Sequence, residues 1–244
     1  MIESPGPQQS RCVCQDGFDW RAADVFLFDI DGTLLNTHDA VHYRAFNRAF
    51  RDVWQIEETI DGVPWHGNTD IGIIRAVAAR AGLSADQATS SLPFLLRAME
   101  SHLQSTRDRL KPETCAGIPD IVRALHAEGK ILGVATGNIE GVGWAKLENA
   151  GLRQYFSFGA FSAPGCESRE DVFRRAVELA RVASNPHAVI HVVGDTPADI
   201  HAARAVGIPI IAVATGKYSF EELAALAPDL LLGCFNDTET LDSK

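Results

Sequence analysis

The sequence lacks any apolar run near the roughly 18 residues that a membrane-spanning helix requires, and its first residues lack the apolar stretch of a signal peptide. Positive charge is also scarce: 22 lysines and arginines face 32 aspartates and glutamates, which gives a net charge of -10. Such a surface repels nucleic acid and anionic lipid. The five cysteines are scattered and odd in number, so we interpret them as free thiols. These absences predict a cytoplasmic protein that binds neither nucleic acid nor membrane.

Short apolar runs recur along the 244 residues and alternate with segments of helical periodicity. The apolar runs cover residues 25–28, 131–135, 158–161, 188–193, 209–213 and 230–232. The helical segments cover residues 118–128, 141–150, 171–183 and 199–206. Runs that are apolar throughout, rather than at every second residue, are typical of parallel strands covered on both faces. The pattern therefore predicts an α/β fold with a doubly wound parallel sheet.

Residues 37–110 interrupt this alternation, because they carry helical periodicity and no convincing strand. We interpret them as a small helical cap placed over the carboxyl edge of the sheet, where it could act as a lid over a ligand. The predicted organisation is a loose tail over residues 1–22, a core domain over 23–36 and 111–244, and a cap domain over 37–110. The connectors at 35–37 and 111–113 are predicted hinges.

The sharpest motif is Asp29-Ile30-Asp31-Gly32-Thr33, directly after the first apolar run. Two carboxylates at this spacing raise each other's pKa unless a cation neutralises them. Taken alone, the motif is also compatible with a simple acidic turn. Its place at a strand end favours a site, because parallel sheets present their ligand-binding loops at that edge.

A second polar cluster, Thr136-Gly137-Asn138, follows the apolar run at 131–135 and precedes a helix. A hydroxyl and free backbone N–H groups at a helix start can hold a phosphate. Either Thr136 or Asn138 could equally be a simple helix N-cap.

A third cluster follows residues 188–193 and contains Asp195 and Asp199. Thr196 as N-cap, Pro197 at the first helical position and Asp199 three residues after the cap form a capping box. Capping accounts for Asp199, whereas no helix needs Asp195. Asp195 is therefore the better metal ligand, and a direct metal role for Asp199 stays open.

Acidic side chains from separate strand ends indicate phosphoryl transfer assisted by a metal ion. An oxygen-only site built from Asp29, Asp195 and a backbone carbonyl suits Mg²⁺. Once the metal offsets the repulsion between anions, an aspartate can attack phosphorus and form an acyl phosphate. We predict Asp29 as the nucleophile. Asp31 would donate a proton to the leaving oxygen and later take one from the hydrolytic water.

These motifs resemble those of the haloacid dehalogenase superfamily, whose phosphatases carry D-x-D-G-T, a Thr or Ser after the second core strand, a basic residue and G-D-x-x-x-D. The resemblance spans about residues 25–232, with Thr136 and the 194–199 segment as the second and last motifs. It implies a Rossmann-like core, a helical cap of the C1 type, Mg²⁺ dependence and an aspartyl-phosphate intermediate. It also implies that the backbone carbonyl of Asp31 completes the metal ligands. We assign Thr136 to catalysis, and Thr33, Gly137 and Asn138 to substrate binding.

The basic residue of the family is an imperfect match. Glu167 aligns where the family usually has a lysine, and none of the five lysines lies in this loop. Arg169, two residues on, is the predicted substitute, because its permanent charge could pair with Asp29 and a phosphate oxygen. The alternative is that Arg169 is a surface residue at a helix start. Lys146 is the reserve candidate, although we expect it to face solvent from a helix interior.

Two features of the cap have simple interpretations. Thr69 or Asn68 is expected to be an N-cap of a cap helix. His42 begins a segment similar to the H-x-x-A-F/W segment of β-phosphoglucomutase-like members, but it is shifted by one residue, so we expect a solvated histidine.

The resemblance implies a Mg²⁺-dependent phosphatase that hydrolyses a small phosphorylated metabolite, of the phosphoglycolate-phosphatase-like kind. Dehalogenase activity is not expected, because dehalogenases of the superfamily lack the second aspartate, here Asp31. Two alternatives stay open: a sugar phosphomutase of the β-phosphoglucomutase type, and a catalytically silent member of the family. The substrate itself and the oligomeric state are open as well.

Overall fold

The computed structural model describes residues 11–240, which are built around a sheet of seven strands. The strands, in chain order, are β1 (Cys12–Cys14), β2 (Val25–Phe28), β3 (Leu35–Thr37), β4 (Pro112–Thr114), β5 (Ile131–Ala135), β6 (Phe158–Ala160), β7 (Ile190–Gly194), β8 (Ile210–Val213) and β9 (Leu230–Leu232). The α-helices are α1 (Val41–Ala49), α2 (Asp70–Arg80), α3 (Ala85–Thr106), α4 (Ile118–Ala127), α5 (Glu140–Asn149), α6 (Arg169–Ala183), α7 (Pro197–Val206) and α8 (Phe220–Ala224). A π-helical turn (Phe50–Trp54) extends α1, and short 3₁₀ turns lie at Trp20–Ala22, Arg107–Arg109, Arg153–Tyr155 and Phe235–Thr240.

The strand order of the main sheet is β1-β9-β8-β7-β2-β5-β6, and every pair is parallel except β1 with β9. Strand β2 lies between β5 and β7, so that Val25 is opposite both Ile131 and Ile190. Each of its four residues is buried. This arrangement confirms the predicted α/β class with a doubly wound, Rossmann-like parallel sheet, and it brings the carboxyl ends of β5, β2 and β7 side by side.

Helices cover both faces of the sheet, which explains why its strands are apolar throughout. Successive side chains of β2 point to opposite faces, so Phe26 and Phe28 join one apolar core while Val25 and Leu27 join the other. Helices α4 and α5 contribute to the first core. Helices α6, α7 and α8 contribute to the second.

The prediction of a loose amino-terminal tail is wrong for residues 11–22. Cys12–Cys14 form β1, which pairs with the outer edge of β9 so that Cys12 is opposite Leu232. Trp20 is buried and packs edge-on against Phe26. Three residues are too few to show a period in the sequence. The strand forms through its backbone hydrogen bonds to β9 and so needs no side-chain pattern of its own. Residues 1–10 of the predicted tail lie outside the described residues.

Helices α1, α2 and α3 pack around their own apolar cluster, which includes Phe46, Ile74 and Leu95. The same cluster includes Val142 and Ala145 of α5, so the helical insert rests on that helix. The two predicted hinge connectors pair as a short antiparallel ribbon, in which Leu35 of β3 is opposite Thr114 of β4. Their hinge role and the proposed domain boundaries stay predictions.

Candidate active site

The fold places Asp29, Thr136 and Asp195 at the carboxyl ends of three adjacent strands, β2, β5 and β7. All three side chains are buried. The parallel register explains this meeting, because each residue directly follows the last residues of its strand. The structure therefore brings together the three strand-end motifs identified in the sequence.

Arg169 lies between two of the buried carboxylates. Its Nη2 is 2.7 Å from Asp29 Oδ2 and 2.5 Å from Asp199 Oδ1. Ser168 caps α6 in a capping box with Asp171, which fixes Arg169 in the first turn, with only 8% of its surface exposed. Burial opposes the charge of Arg169, but Asp199 and Asp29 outweigh it and raise the pKa of the guanidinium. The alternative of a surface arginine is therefore wrong.

Asp29, Asp195 and Asp199 form a buried acidic cluster whose ligand oxygens lie within 4.8 Å of one another. Burial, reinforced by the charge of Asp199, raises the pKa of Asp29 to about 6 although Arg169 opposes the shift. Burial also raises the pKa of Asp195 well above its usual value, and Asp199 and Asp29 add to the shift. One guanidinium does not neutralise three carboxylates. The cluster therefore fits a hard divalent cation such as Mg²⁺, which prefers oxygen ligands.

The oxygens of Asp199 already have partners within the protein. Oδ2 accepts hydrogen bonds from Thr196 N (3.0 Å) and Thr196 Oγ1 (2.8 Å), while Oδ1 accepts from Arg169 Nε (2.6 Å). These contacts confirm the predicted capping box, with Thr196 as N-cap of α7. They also favour Asp195 over Asp199 as a metal ligand.

Thr33 is fully buried, and its Oγ1 donates to Asp195 Oδ1 over 3.0 Å. This hydrogen bond orients Asp195, and the role of Thr33 in substrate binding stays a prediction. The neighbouring Gly32 has φ +87, and a Cβ there would lie 2.3 Å from Asp195 Oδ2. Only glycine allows this turn to pass so close to a carboxylate.

Asp31 faces the cavity, and 43% of its side chain is exposed. Lys146 Nζ lies 2.8 Å from Asp31 Oδ1 and 2.6 Å from Asp31 Oδ2, and Asn138 Nδ2 donates to Oδ2 over 2.8 Å. Partial removal from water opposes ionisation of Asp31. The charge and hydrogen bonds of Lys146, with help from His42 and Asn138, outweigh that effect and lower the pKa of Asp31.

The expectation that Lys146 faces solvent is wrong, since only 2% of its side chain is exposed. Helix α5 lies between the sheet and the helical insert, so it is covered from two directions and part of its surface has no access to solvent. The ammonium group is accommodated there because Asp31 and Asn138 Oδ1 (2.9 Å) accept its hydrogen bonds.

Neither Thr136 nor Asn138 is the N-cap of α5, so that alternative is wrong. The helix begins after Ile139, whose N–H donates to Asp70 Oδ2 over 2.8 Å. Thr136 Oγ1 accepts from Asn138 Nδ2 over 2.8 Å. Both side chains therefore stay at the cavity wall, while a carboxylate from the helical insert caps a core helix.

The amino-terminal end of α2 lies directly over the second motif. Thr69 is the N-cap of α2, as predicted, and accepts from Gly72 N over 3.0 Å. Asp70 N donates to Gly137 O over 2.7 Å, and a Cβ on Gly137 would lie 2.3 Å from Asn68 O. The absence of a side chain at Gly137 thus permits the close contact between the helical insert and the core.

Two polar contacts across this boundary, and one within the insert, were not predicted from the sequence. Arg75 of α2 pairs with both carboxylate oxygens of Glu167, the residue that stands at the family's lysine position. His42 of α1 contacts Asp70 Oδ2 through Nε2 (3.0 Å) and Lys146 through Nδ1 (3.3 Å), so the expectation of a solvated histidine is wrong. No local pattern identifies such pairs, because the partners are 28 to 104 residues apart.

A cavity of about 410 Å³ opens above these residues. Asp29, Asp31, Thr136, Arg169 and Asp195 line its core side. Tyr43, Phe46 and Asn68 contribute to the opposite wall, which belongs to the helical insert. A cavity of this size suits a small ligand.

Comparisons with known proteins agree with this geometry. The family model for haloacid dehalogenase-like hydrolases matches residues 26–213. A phosphoglycolate phosphatase of Synechococcus elongatus is 29% identical over 217 residues, covering 85% of this chain and 92% of the relative. A phosphoglycolate phosphatase of Mesorhizobium japonicum is 26% identical over 216 residues, covering 87% of this chain and 91% of the relative.

Among solved structures, CbbY from Rhodobacter sphaeroides in complex with phosphate superposes with a TM-score of 0.67 at 21% identity, covering 87% of this chain and 95% of that one. Within residues 11–240, no helix has the length and apolar character needed to span a membrane. The family model covers well over half of the chain, including the strand-end motifs at Asp29, Thr136 and Asp195. The chain therefore belongs to the haloacid dehalogenase-like hydrolases.

Proposed function

We propose that the protein is a Mg²⁺-dependent phosphatase that hydrolyses a small phosphomonoester through an aspartyl-phosphate intermediate. The observation that carries this proposal is the position of Asp29, whose carboxylate is held by Arg169 within an oxygen-only acidic cluster at the floor of a cavity. The family and the phosphatases among its relatives support the same reaction class.

The carboxylates of Asp29 and Asp195 and the backbone carbonyl of Asp31 would hold the metal ion. The raised pKa values of the two buried carboxylates support this assignment, because burial and then the neighbouring carboxylates disfavour their ionised forms, which a bound cation would stabilise. When bound, Mg²⁺ would offset the repulsion between the carboxylate nucleophile and the phosphate and would contact a phosphate oxygen.

In the proposed mechanism, Asp29 attacks phosphorus, and the bond from phosphorus to the leaving oxygen breaks. Arg169 orients the carboxylate of Asp29 and balances charge beside it. Thr136 and the backbone N–H of Gly137 bind phosphate oxygens. Asp31 faces the cavity from the same loop as Asp29, gives a proton to the leaving oxygen and later takes one from the water that hydrolyses the aspartyl phosphate.

We propose a small phosphorylated metabolite as the substrate, in keeping with the cavity of about 410 Å³. The relatives named above are phosphoglycolate phosphatases, and a CbbY variant from Rhodobacter sphaeroides has been crystallised with xylulose-(1,5)-bisphosphate. The proposal includes a cytoplasmic location and a cap over residues 37–110 that moves on the ribbon formed by β3 and β4.

A phosphate-release screen tests the function directly. Purified protein with Mg²⁺ is expected to release phosphate from at least one member of a panel containing 2-phosphoglycolate, phosphorylated sugars and nucleotides, and to stop when EDTA is added. Release from no member would support the silent alternative. Slow hydrolysis that a bisphosphorylated sugar accelerates would support a phosphomutase instead.

Thermal unfolding with and without Mg²⁺ tests the metal assignment. In the metal-free protein the pKa of Asp29 is raised to about 6, so the folded state keeps a proton that the unfolded state loses near pH ~4. Stability of the metal-free protein should therefore fall as the pH rises through about 6. Because metal binding requires ionised carboxylates, Mg²⁺ should raise the Tm more near pH ~7.5 than near pH ~5.

An Asp195→Asn variant is the matched control for this measurement, because it removes one proposed ligand with almost no change of shape. Its Tm should respond much less to Mg²⁺ than that of the unmodified protein. A Tm that Mg²⁺ leaves unchanged at both pH values would contradict the metal assignment.

A further inference from the structure

Lys146 contacts Asp31 at the wall of the cavity. Its ammonium contacts both carboxylate oxygens of Asp31, at 2.8 and 2.6 Å, and Asn138 Oδ1 at 2.9 Å. Lys146 is almost wholly buried, whereas 43% of the Asp31 side chain is exposed. The hydrogen bonds of the ammonium group go to Asp31 and Asn138, and they hold the carboxylate of Asp31 in place.

A chain of polar contacts connects this ion pair to the helical insert. Lys146 Nζ lies 3.3 Å from Nδ1 of His42 in α1, and Nε2 of the same ring lies 3.0 Å from Asp70 Oδ2 at the start of α2. Asp70 Oδ2 also accepts from Ile139 N in the core.

His42 is fixed by packing as well as by these polar contacts. Its ring stacks on Phe46 with 5.1 Å between the ring centroids, and its side chain is only 18% exposed. His42 and Asp70 both belong to the helical insert, whereas Lys146 and Asp31 belong to the core. The chain Asp31–Lys146–His42–Asp70 is therefore complete only when the insert is docked on the core.

We infer that Lys146 is the positioning residue for the proton transfer by Asp31, and that His42 and Asp70 make this positioning depend on the docked cap. The inference rests on the proposed function, in which Asp31 receives a proton during hydrolysis of the aspartyl phosphate. In that step a water oxygen bonds to phosphorus and the bond from phosphorus to Asp29 breaks. The electron pair returns to the Asp29 carboxylate, and the water proton passes to Asp31.

Pre-steady-state kinetics with p-nitrophenyl phosphate isolate this step, because p-nitrophenolate leaves without needing a proton. Lys146→Met keeps the apolar stem and removes the ammonium. Asp29 should still be phosphorylated, so the variant should show a burst of about one p-nitrophenolate per active site, followed by a steady state slowed roughly 30-fold or more. Lys130→Met, at the opposite end of β5, is the matched control and should behave like the unmodified protein.

His42→Phe tests the link to the cap, because it keeps the stacking on Phe46 and removes both polar contacts. It should show the same burst with a smaller slowing, roughly 3- to 10-fold. The burst amplitude counts folded active sites, so a folding defect would lower both phases together. A Lys146→Met variant whose phases fall in proportion, or that shows no burst, would overturn the positioning role.

Absence of a burst in His42→Phe alone would overturn the link to the cap. Turnover by the unmodified protein shows whether the inference or the proposed function has failed. If it releases neither p-nitrophenolate nor phosphate in the presence of Mg²⁺, the phosphatase proposal itself fails. If it turns over normally and the variants show no burst, only the present inference fails.

Discussion

Asp29→Asn should abolish phosphate release, with a loss in kcat of roughly four orders of magnitude or more. The amide has nearly the shape of the carboxylate but cannot attack phosphorus. The variant should still fold, because removing one charge from a buried acidic cluster relieves repulsion. The measurement is steady-state phosphate release with the best substrate of the screen, with circular dichroism to confirm folding.

Asp86→Asn provides the comparison for this variant. Asp86 is exposed in the first turn of α3, so the same substitution there should leave turnover close to that of the unmodified protein. Substantial turnover by the Asp29→Asn protein would refute the nucleophile assignment, since no other carboxylate is proposed to attack phosphorus.

Arg169→Met should cost about 3–5 kcal/mol of unfolding free energy in metal-free protein near neutral pH. Arg169 pairs with Asp29 and Asp199, and all three side chains are buried, so the variant leaves two carboxylates without their counter-charge. The loss should shrink as the pH falls to about 6, because without Arg169 the pKa of Asp29 is higher still and the variant takes up its proton first. Urea unfolding in EDTA at two pH values measures the loss of stability and its dependence on pH. In a separate assay with Mg²⁺, phosphate release should fall at least ~100-fold.

Arg169→Lys is the graded control for this experiment. It keeps the charge but cannot form the two-sided contact of a planar guanidinium, so its stability and activity should lie between those of the Met variant and the unmodified protein. If Arg169→Met unfolds at the same urea concentration as the unmodified protein near neutral pH, the ion pairs do not stabilise the fold as described.

The core sheet was predictable because its strands are continuous apolar runs separated by helical periodicity. The runs at 131–135 and 230–232 coincide with β5 and β9. Strand β1 was not predictable, since three residues are too few to show a period and the strand depends on the edge of β9. The short ribbon of β3 and β4 was missed for the same reason: Thr37, the first residue of the predicted insert, belongs to β3, and β4 begins two residues after the insert ends.

The strand-end acids were predictable because a parallel sheet brings the ends of its strands to one edge. The burial of Lys146 was not, since it depends on a helical insert that covers α5 from the other side. The pairing of Glu167 with Arg75 was not predictable either, because it joins residues 92 positions apart. Sequence patterns thus identified the groups proposed for the chemistry, and tertiary contacts determined which groups orient them.

The pairing of β1 with β9 has a practical consequence for shortened versions of the chain. Strand β9 consists of three leucines, and β1 covers the backbone edge that β8 leaves open. A version that starts after residue 15 would leave the backbone N–H and C=O groups on this edge of β9 unpaired and open to pairing with a strand of a second molecule. Self-association of such a truncated protein would then reflect a lost cover strand rather than a natural oligomer.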